Sequence, residues 1–122
     1  MNTQKLPEEL ALDLTARSTA KYQIAAVIFD KHGIISWGWN HYPENNGTST
    51  HAEDHAITRA NPKRRTGATI VVAGRKNGSG KMLLAKPCPD CQNLILRVGI
   101  TKIIYSDPTN SNSWNTLKST FI

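Results

Sequence analysis

The chain has 122 residues, 39% of them hydrophobic and 20% charged, a size and composition that fit one domain spanning residues 1–122. It has no apolar run as long as a membrane span, no signal-peptide profile at its N-terminus and only two cysteines, which excludes a disulfide framework and favours a reducing, cytoplasmic location. The net charge of +6 indicates attraction to phosphate, on a nucleotide or on a polymer, or simply a solvated basic surface.

The first part of the chain predicts a helix followed by a β-hairpin. Residues 7–20 begin with a proline and two acidic residues and carry apolar side chains on one face, as an amphipathic helix does. The nearly continuous apolar run at 22–30 predicts a strand buried on both faces, and a short turn returns the chain as an antiparallel strand over 34–39. A polar loop over 40–50 follows, and we expect it to hold substrate, as loops on rigid scaffolds often do.

The remaining chain predicts alternating helices and strands. Helices are predicted over 51–60 and 89–98, buried strands over 67–73 and 100–105, a short extended segment over 81–85, and either a helix and strand or a packed tail over 114–122. A hairpin followed by helix–strand units gives a mixed sheet covered by helices on both faces. We therefore predict the α/β class, as a three-layer α/β/α sandwich.

Two short motifs carry side chains that can bind a metal and move a proton. The motif His-Ala-Glu stands at residues 51–53, and Pro-Cys-Pro-Asp-Cys stands at residues 87–91. Cys88 and Cys91 are three positions apart, so one helical turn brings both sulfurs to the same ion. The prolines, and the turn-forming residues before His51, place both motifs at helix N-termini, where the helix dipole favours thiolates.

These residues fit a catalytic zinc site. His51, Cys88 and Cys91 provide three ligands and leave the fourth tetrahedral position for water, which is the arrangement of catalytic zinc. Thiolate ligands donate electron density, so the water is acidified less than at an all-histidine site, and Glu53 is the candidate base. Residues two positions apart do not share a helix face, so His51 and Glu53 can converge only if the site lies at the helix end.

Other interpretations of the same residues are open. His51 and His55 have the spacing of the zincin motif H-E-x-x-H, but Ala52 stands where that motif needs glutamate. His55 is then expected to face solvent or a neighbouring subunit. A C-x-x-C pair by itself also fits a redox site or a structural zinc module, although structural zinc takes four protein ligands and needs no base such as Glu53.

The order H-x-E and then P-C-x-x-C resembles the zinc-dependent cytidine/deoxycytidylate deaminase superfamily. The resemblance covers most of the chain and is closest in motif to the deoxycytidylate deaminases, at residues 38–40 and at residues 51–57. It implies a cytidine deaminase-like fold, a Zn²⁺ cofactor held by the histidine and the two cysteines, and a proton shuttle at Glu53.

The resemblance also implies three substrate contacts. Residues 38–40 look like the family's G-x-N, which implies that the amide of Asn40 contacts the sugar or base, with turn capping as the alternative. The resemblance also implies that the backbone N–H of Ala52 contacts the edge of the pyrimidine. Tyr105 matches a position where relatives often carry an aromatic residue near the pocket, with core packing as the alternative.

The implied function is hydrolytic deamination of a cytosine nucleoside or nucleotide, with a dCMP-like substrate favoured, to the uracil product and ammonia. The alternative is a deaminase that acts on cytosine or adenine within single-stranded nucleic acid or tRNA. We favour a free nucleotide because the loop over 40–50 has one aromatic residue, Tyr42, for base stacking, and because the dense basic run at 63–65 follows the far end of a helix. Lys86 or Lys21 would suffice for one phosphate.

The partners expected of the chain are a small cytosine substrate and further copies of itself, with nucleic acid as the open alternative and no membrane. Relatives are commonly oligomeric, so the resemblance implies a homo-oligomer. Trp37, Trp39 and Trp114 are candidates for burial between subunits.

Overall fold

A computed structural model describes residues 6–41 and 50–118, in which there are four helices, one 3₁₀ turn and six strands. In chain order these are α1 (Pro7–Leu14), the 3₁₀ turn (Thr15–Arg17), β1 (Tyr22–Asp30), β2 (Gly33–Trp39), α2 (Ala52–Arg59), α3 (Pro62–Arg65), β3 (Thr69–Lys76), β4 (Met82–Leu83), α4 (Pro89–Arg97), β5 (Lys102–Ser106) and β6 (Trp114–Lys118). Most of the predicted substrate loop over 40–50, including Tyr42, lies outside the described residues. No helix in the described ranges is long and apolar enough to cross a membrane.

The strands form one mixed sheet in the order β2-β1-β3-β5-β6, with β4 paired to β3. β3 and β5 are parallel, and the other pairs are antiparallel. The predicted hairpin is the β1–β2 pair, and β2 is an edge strand of the sheet. The parallel pair is joined through α4, which places the start of α4 near the same end of the sheet as the start of α2.

Helices cover both faces of the sheet, which confirms the predicted three-layer arrangement. Ala25 and Val27 of β1 pack towards α1, and Ala26 and Ile28 pack in the opposite cluster with residues of α2 and α4. All four side chains are 0% exposed, because alternate residues of a strand point to opposite faces and both faces are covered. The apolar run of β1 is therefore explained by burial on two sides.

Several predicted elements differ from the structure in extent or type, among them the buried strand predicted over 67–73, which runs over Thr69–Lys76. The first helix ends at Leu14 rather than near residue 20, because the Thr15 hydroxyl donates to the carbonyl of Leu12 and the backbone becomes extended at Ser18. The extended segment over 81–85 is a strand of only two residues. The segment that begins at Trp114 is a strand paired with β5 and contains no helix among its described residues, while residues 119–122 lie outside them.

The tryptophans differ in how much surface they leave for a partner. Trp39 and Trp114 pack against the cluster on the α1 side of this chain's own sheet. Trp37 is 37% exposed, with the Arg59 guanidinium 5.1 Å from the centroid of its ring. Trp37 is thus the most exposed of the three tryptophans, while Trp39 and Trp114 are partly covered by this chain's own core.

Gly38 lets α2 lie directly on β2. A Cβ atom at this position would stand 2.6 Å from the backbone nitrogen of Ala56 and 2.7 Å from the Cβ of His55. We expect Gly38→Ala to lower the free energy of unfolding by about 1–3 kcal/mol, the usual cost of overpacking a tight interface. Urea denaturation measures this, with Thr58→Ala on the exposed side of α2 as the control, for which a change below about 0.5 kcal/mol is expected. Equal stabilities for Gly38→Ala and the control would contradict this packing.

Candidate active site

The three predicted metal ligands lie at the adjoining N-termini of α2 and α4. His51 and Cys88 are the N-cap residues of the two helices, and Cys91 is in the first turns of α4. The donor atoms of all three lie within 4.8 Å of one another, and His51 Nδ1 is 3.2 Å from Cys91 Sγ. Ligand atoms of tetrahedral zinc, at bond lengths of about 2.0–2.3 Å, lie roughly 3.3–3.8 Å apart. The three residues could therefore hold one zinc ion with little movement.

The local backbone explains how His51 and Glu53 meet. His51 has an extended conformation, with φ −75° and ψ 150°, whereas Glu53 already belongs to the helix. The rule that residues two positions apart diverge applies within a helix and not across its N-cap. Both side chains can consequently face the same cavity.

The charge state of the cluster favours a cation. Burial, and then the negative charge of the Glu53 carboxylate, raises the pKa of the Cys91 thiol. Burial also raises the pKa of Glu53, which is 6% exposed. Two acidic groups held close together in a dry site resist ionisation, and a bound divalent ion reverses that preference by deprotonating the thiols that coordinate it. This donor set thus fits zinc chemically as well as geometrically.

A cavity of about 260 Å³ lies beside the ligands among the described residues. Its lining consists of Ile24, Asn40, His41, His51, Ala52, Glu53, Leu84, Ala85, Lys86 and Cys88. Pockets for drug-sized ligands measure roughly 300–1,000 Å³, so this one suits a small molecule. Lys86 places a positive charge on this wall, and His41 adds an imidazole that can form hydrogen bonds.

Asn40 lies on the cavity wall but is also tied to β1. Its side-chain Oδ1 accepts the N–H of Ile24 at 2.9 Å, and its Nδ2 donates to the carbonyl of Tyr22 at 2.8 Å. An amide has two donor hydrogens and two lone pairs, so one of each is left for substrate. The structure accordingly gives Asn40 a fixed position, and its substrate contact stays a prediction.

The other two predicted substrate residues differ in position. Ala52 is 1% exposed and lies on the cavity wall. Tyr105 is 6% exposed, packs in the core between the sheet and the α2 and α4 helices, and is not among the described residues that line the cavity. The core-packing interpretation of Tyr105 therefore has structural support, and a contact with substrate has none.

His55 is placed differently from the sequence expectation. It is partly buried and packs on β2 instead of facing solvent, with its Nδ1 3.1 Å from the backbone nitrogen of Trp39, while a contact with a neighbouring subunit stays a prediction. Burial lowers the pKa of His55, which favours its neutral form. Within the described residues, His55 does not belong to the group of side chains close enough to share a metal, which removes the zincin interpretation.

Sequence reasoning missed both His41 and the position of His55. The helical spacing of His55, one turn after His51, was the available signal that it lies on the inner side of α2. No comparable pattern marks His41, whose position depends on a bridge with Thr50 that brings two loop ends together, with backbone hydrogen bonds of 3.1 and 2.8 Å.

Comparisons with known proteins agree with this geometry. Residues 1–107 match the family described as cytidine and deoxycytidylate deaminase zinc-binding region. No curated protein sequence matches the chain.

Solved structures share the fold. The dCMP deaminase from cyanophage S-TIM5 is 21% identical, with a TM-score of 0.64 over 85% of this chain and 82% of that one. The cytidine deaminase from Burkholderia pseudomallei is 19% identical, with a TM-score of 0.68 over 93% of this chain and 90% of that one. The cytidine deaminase from Mycobacterium tuberculosis is 19% identical, with a TM-score of 0.56 over 84% of this chain and 83% of that one. At these identities the likeness establishes the fold alone.

Proposed function

The chain belongs to the cytidine and deoxycytidylate deaminase family, whose matched region is described as zinc-binding. On that premise we propose that it removes the amino group from the cytosine base of a free nucleotide by hydrolysis. One observation carries the proposal. The donor atoms of His51, Cys88 and Cys91 lie within 4.8 Å of one another, and the buried carboxyl of Glu53 lines the same small cavity as His51 and Cys88.

The residues of the cavity can perform each part of the reaction. When bound, zinc supplies Lewis-acid activation of the attacking water. Glu53 takes a proton from that water, passes it to the ring nitrogen and then protonates the departing amino group. A bond forms between C4 and the water oxygen, the bond between C4 and the amino nitrogen breaks, and the products are the uracil base and ammonia.

The helix N-terminus at Ala52 can orient the base. Ala52 is the first residue of α2, so no carbonyl lies one turn earlier in the helix to accept its N–H. An N–H in that position suits an acceptor on the pyrimidine edge. The amide of Asn40, held against β1 and on the wall of the same cavity, is proposed to contact the sugar or base.

The position of the basic residues favours a free nucleotide over a polymer. The dense run at residues 63–65 lies in α3, beyond the far end of α2, whose eight residues span about 12 Å. Arg64 there is paired with Asp30 of the hairpin at 3.0 Å, and Arg65 donates to the carbonyl of Ile57. These two arginines make contacts within the fold and lie at a distance from the cavity, which supports the choice of a free nucleotide over a strand that would need a basic groove.

Lys86 is the cavity residue that we propose for phosphate recognition. Lys86→Gln is expected to raise KM for dCMP roughly two- to fivefold, the effect of losing an exposed and therefore screened charge pair. KM for deoxycytidine, which has no phosphate, should stay unchanged. Steady-state kinetics on both substrates measures this, with Lys81→Gln as the control, because Lys81 is an exposed lysine outside the cavity lining. Equal increases for both substrates would contradict the assignment.

The proposed substrate class is tested by a side-by-side assay of cytidine, deoxycytidine, CMP, dCMP, single-stranded DNA and RNA at two salt concentrations. We expect the nucleotides to be deaminated fastest, with a mild decrease at high salt. Turnover of a polymer should instead decrease steeply with salt, because many counterions are released when it binds. Polymer turnover with inert monomers would contradict the proposal and establish the nucleic-acid alternative.

A further inference from the structure

The backbone of Trp39 lies at the free edge of the sheet. The N–H of the next residue, Asn40, donates to the carbonyl of Ile24 in β1 at 3.0 Å. Because backbone groups alternate in direction along a strand, the N–H and C=O of Trp39 point away from β1. β2 has no neighbour on that side among the described strands, so a strand pairing does not satisfy these two groups.

Two imidazole rings take the place of a neighbouring strand. Nδ1 of His55 lies 3.1 Å from the Trp39 nitrogen and 3.3 Å from the Trp39 carbonyl oxygen, so it can accept the Trp39 N–H in one tautomer and donate to the carbonyl in the other. Nδ1 of His41 lies 3.0 Å from the Trp39 carbonyl oxygen and can donate to it in the matching tautomer. Burial lowers the pKa of His55 and favours its neutral form, and the neutral tautomer that is protonated on Nε2 leaves a lone pair on Nδ1 for the hydrogen bond from the Trp39 N–H.

The rings also pack on one another. His55 meets the Trp39 ring edge-on, with centroids 4.8 Å apart and planes at 77°. It meets the His41 ring in the same manner, with centroids 4.9 Å apart and planes at 74°. His55 thus contacts both the backbone and the side chains at the end of β2, and the rest of α2 reaches the strand closely only because Gly38 has no side chain.

This contact joins the two halves of the cavity. His55 belongs to α2, the helix that carries Glu53, and Asn40 and His41 follow Trp39 directly. Glu53, Asn40 and His41 all line the same cavity. A shift of the end of β2 relative to α2 would therefore move the proposed substrate-binding wall away from the proposed base.

We propose that His55 is a positioning residue, which fixes the segment 39–41 against α2 by accepting the Trp39 N–H and thereby sets the width of the substrate cavity. The inference rests on the proposed function, because the wall it fixes is the wall proposed to bind the nucleotide. His55 touches no reacting atom in this account, and its effect on the reaction is carried by Asn40 and His41.

The test compares His55→Leu, which lacks the acceptor, with His55→Asn, whose amide oxygen can stand where Nδ1 stands. His55→Leu is expected to raise KM for dCMP roughly three- to tenfold, which corresponds to the loss of one hydrogen bond. Its kcat and its zinc content should stay near the wild-type values. His55→Asn is expected to restore KM. Hydrogen exchange of the Trp39 amide, followed by NMR on the nitrogen-15-labelled protein, should be slow in the wild type and His55→Asn and fast in His55→Leu.

A matched control separates positioning from general loosening of the interface. The Ser36 hydroxyl donates to the carbonyl of Ala56 at 2.8 Å, so Ser36→Ala removes a buried hydrogen bond between the same two elements. We expect it to lower stability without changing KM. If the wild type is active, the inference would be overturned by a KM in His55→Leu equal to that of the wild type. It would also be overturned if His55→Asn failed to restore KM. A wild type inactive on every nucleotide would overturn the proposed function and with it the positioning role, while Trp39 protection would still report the hydrogen bond.

Discussion

Replacing Glu53 by glutamine is expected to abolish deamination while leaving zinc in place. Glutamine has nearly the same shape but cannot accept and return a proton, and the proposed mechanism needs that transfer at several stages. General acid–base catalysis contributes roughly 10²–10⁴-fold for one such role, so the loss in kcat should be at least of that size. Ammonia release from dCMP measures the rate, and metal analysis of the same sample measures the zinc content.

The neighbouring carboxylate provides the control for Glu53. Asp54 is on the same helix but is exposed, and it lies beside the metal ligands rather than in the cavity that Glu53 lines, so Asp54→Asn removes a nearby charge without removing the proposed proton carrier. We expect it to keep most of the activity. Substantial turnover by Glu53→Gln would refute its role, and loss of zinc from that variant would show that Glu53 acts on the metal site rather than on the proton transfer.

Removal of one thiol should lower the activity by a comparably large factor, because the zinc ion is lost rather than because proton transfer is blocked. Cys91 is 6% exposed and its sulfur lies 3.2 Å from His51 Nδ1, so Cys91→Ala removes the most enclosed of the three ligands. We expect the zinc content to fall from about one per chain to near zero. Activity should be lost with it, because the attacking water then has no Lewis acid.

Bound zinc should also stabilise the folded protein. A ligand that binds only the folded state stabilises it by about 2.7 kcal/mol when its free concentration is a hundred times its Kd. A strong chelator should therefore lower the melting temperature of the zinc-loaded wild type and have no effect on Cys91→Ala. An identical zinc content, or an identical response to chelator in the two proteins, would contradict the assignment of Cys91 as a ligand.

The parts of the fold that follow from local pattern were predictable. The apolar run of β1 indicates burial on both faces, and Val27 and Ile28 are indeed buried on opposite sides of the sheet. The short turn before β2 indicates the hairpin. Prolines near the cysteines and turn residues near His51 indicate helix N-termini, and His51 and Cys88 are the N-caps of α2 and α4.

The features that sequence reasoning missed depend on contacts between distant residues. The first helix ends early because of the Thr15 hydroxyl and the extended backbone at Ser18, which compete with helix propensity. The hydrogen bonds of the Asn40 side chain to the backbone of Tyr22 and Ile24 depend on the register of the hairpin, which the sequence pattern does not specify. The helical spacing of His55 indicates the inner side of α2, but its close approach to β2 depends on the absence of a side chain at Gly38, which lies on another element.

The most direct test of the central claim follows the oxygen that replaces the amino group. The zinc-loaded protein is incubated with dCMP in water labelled with oxygen-18, and the product is analysed by mass spectrometry. The account predicts dUMP with one labelled oxygen on the base and one ammonia released per dUMP formed, with neither product from Glu53→Gln. Unchanged dCMP in the presence of bound zinc, or dUMP without label, would contradict hydrolytic deamination by this site.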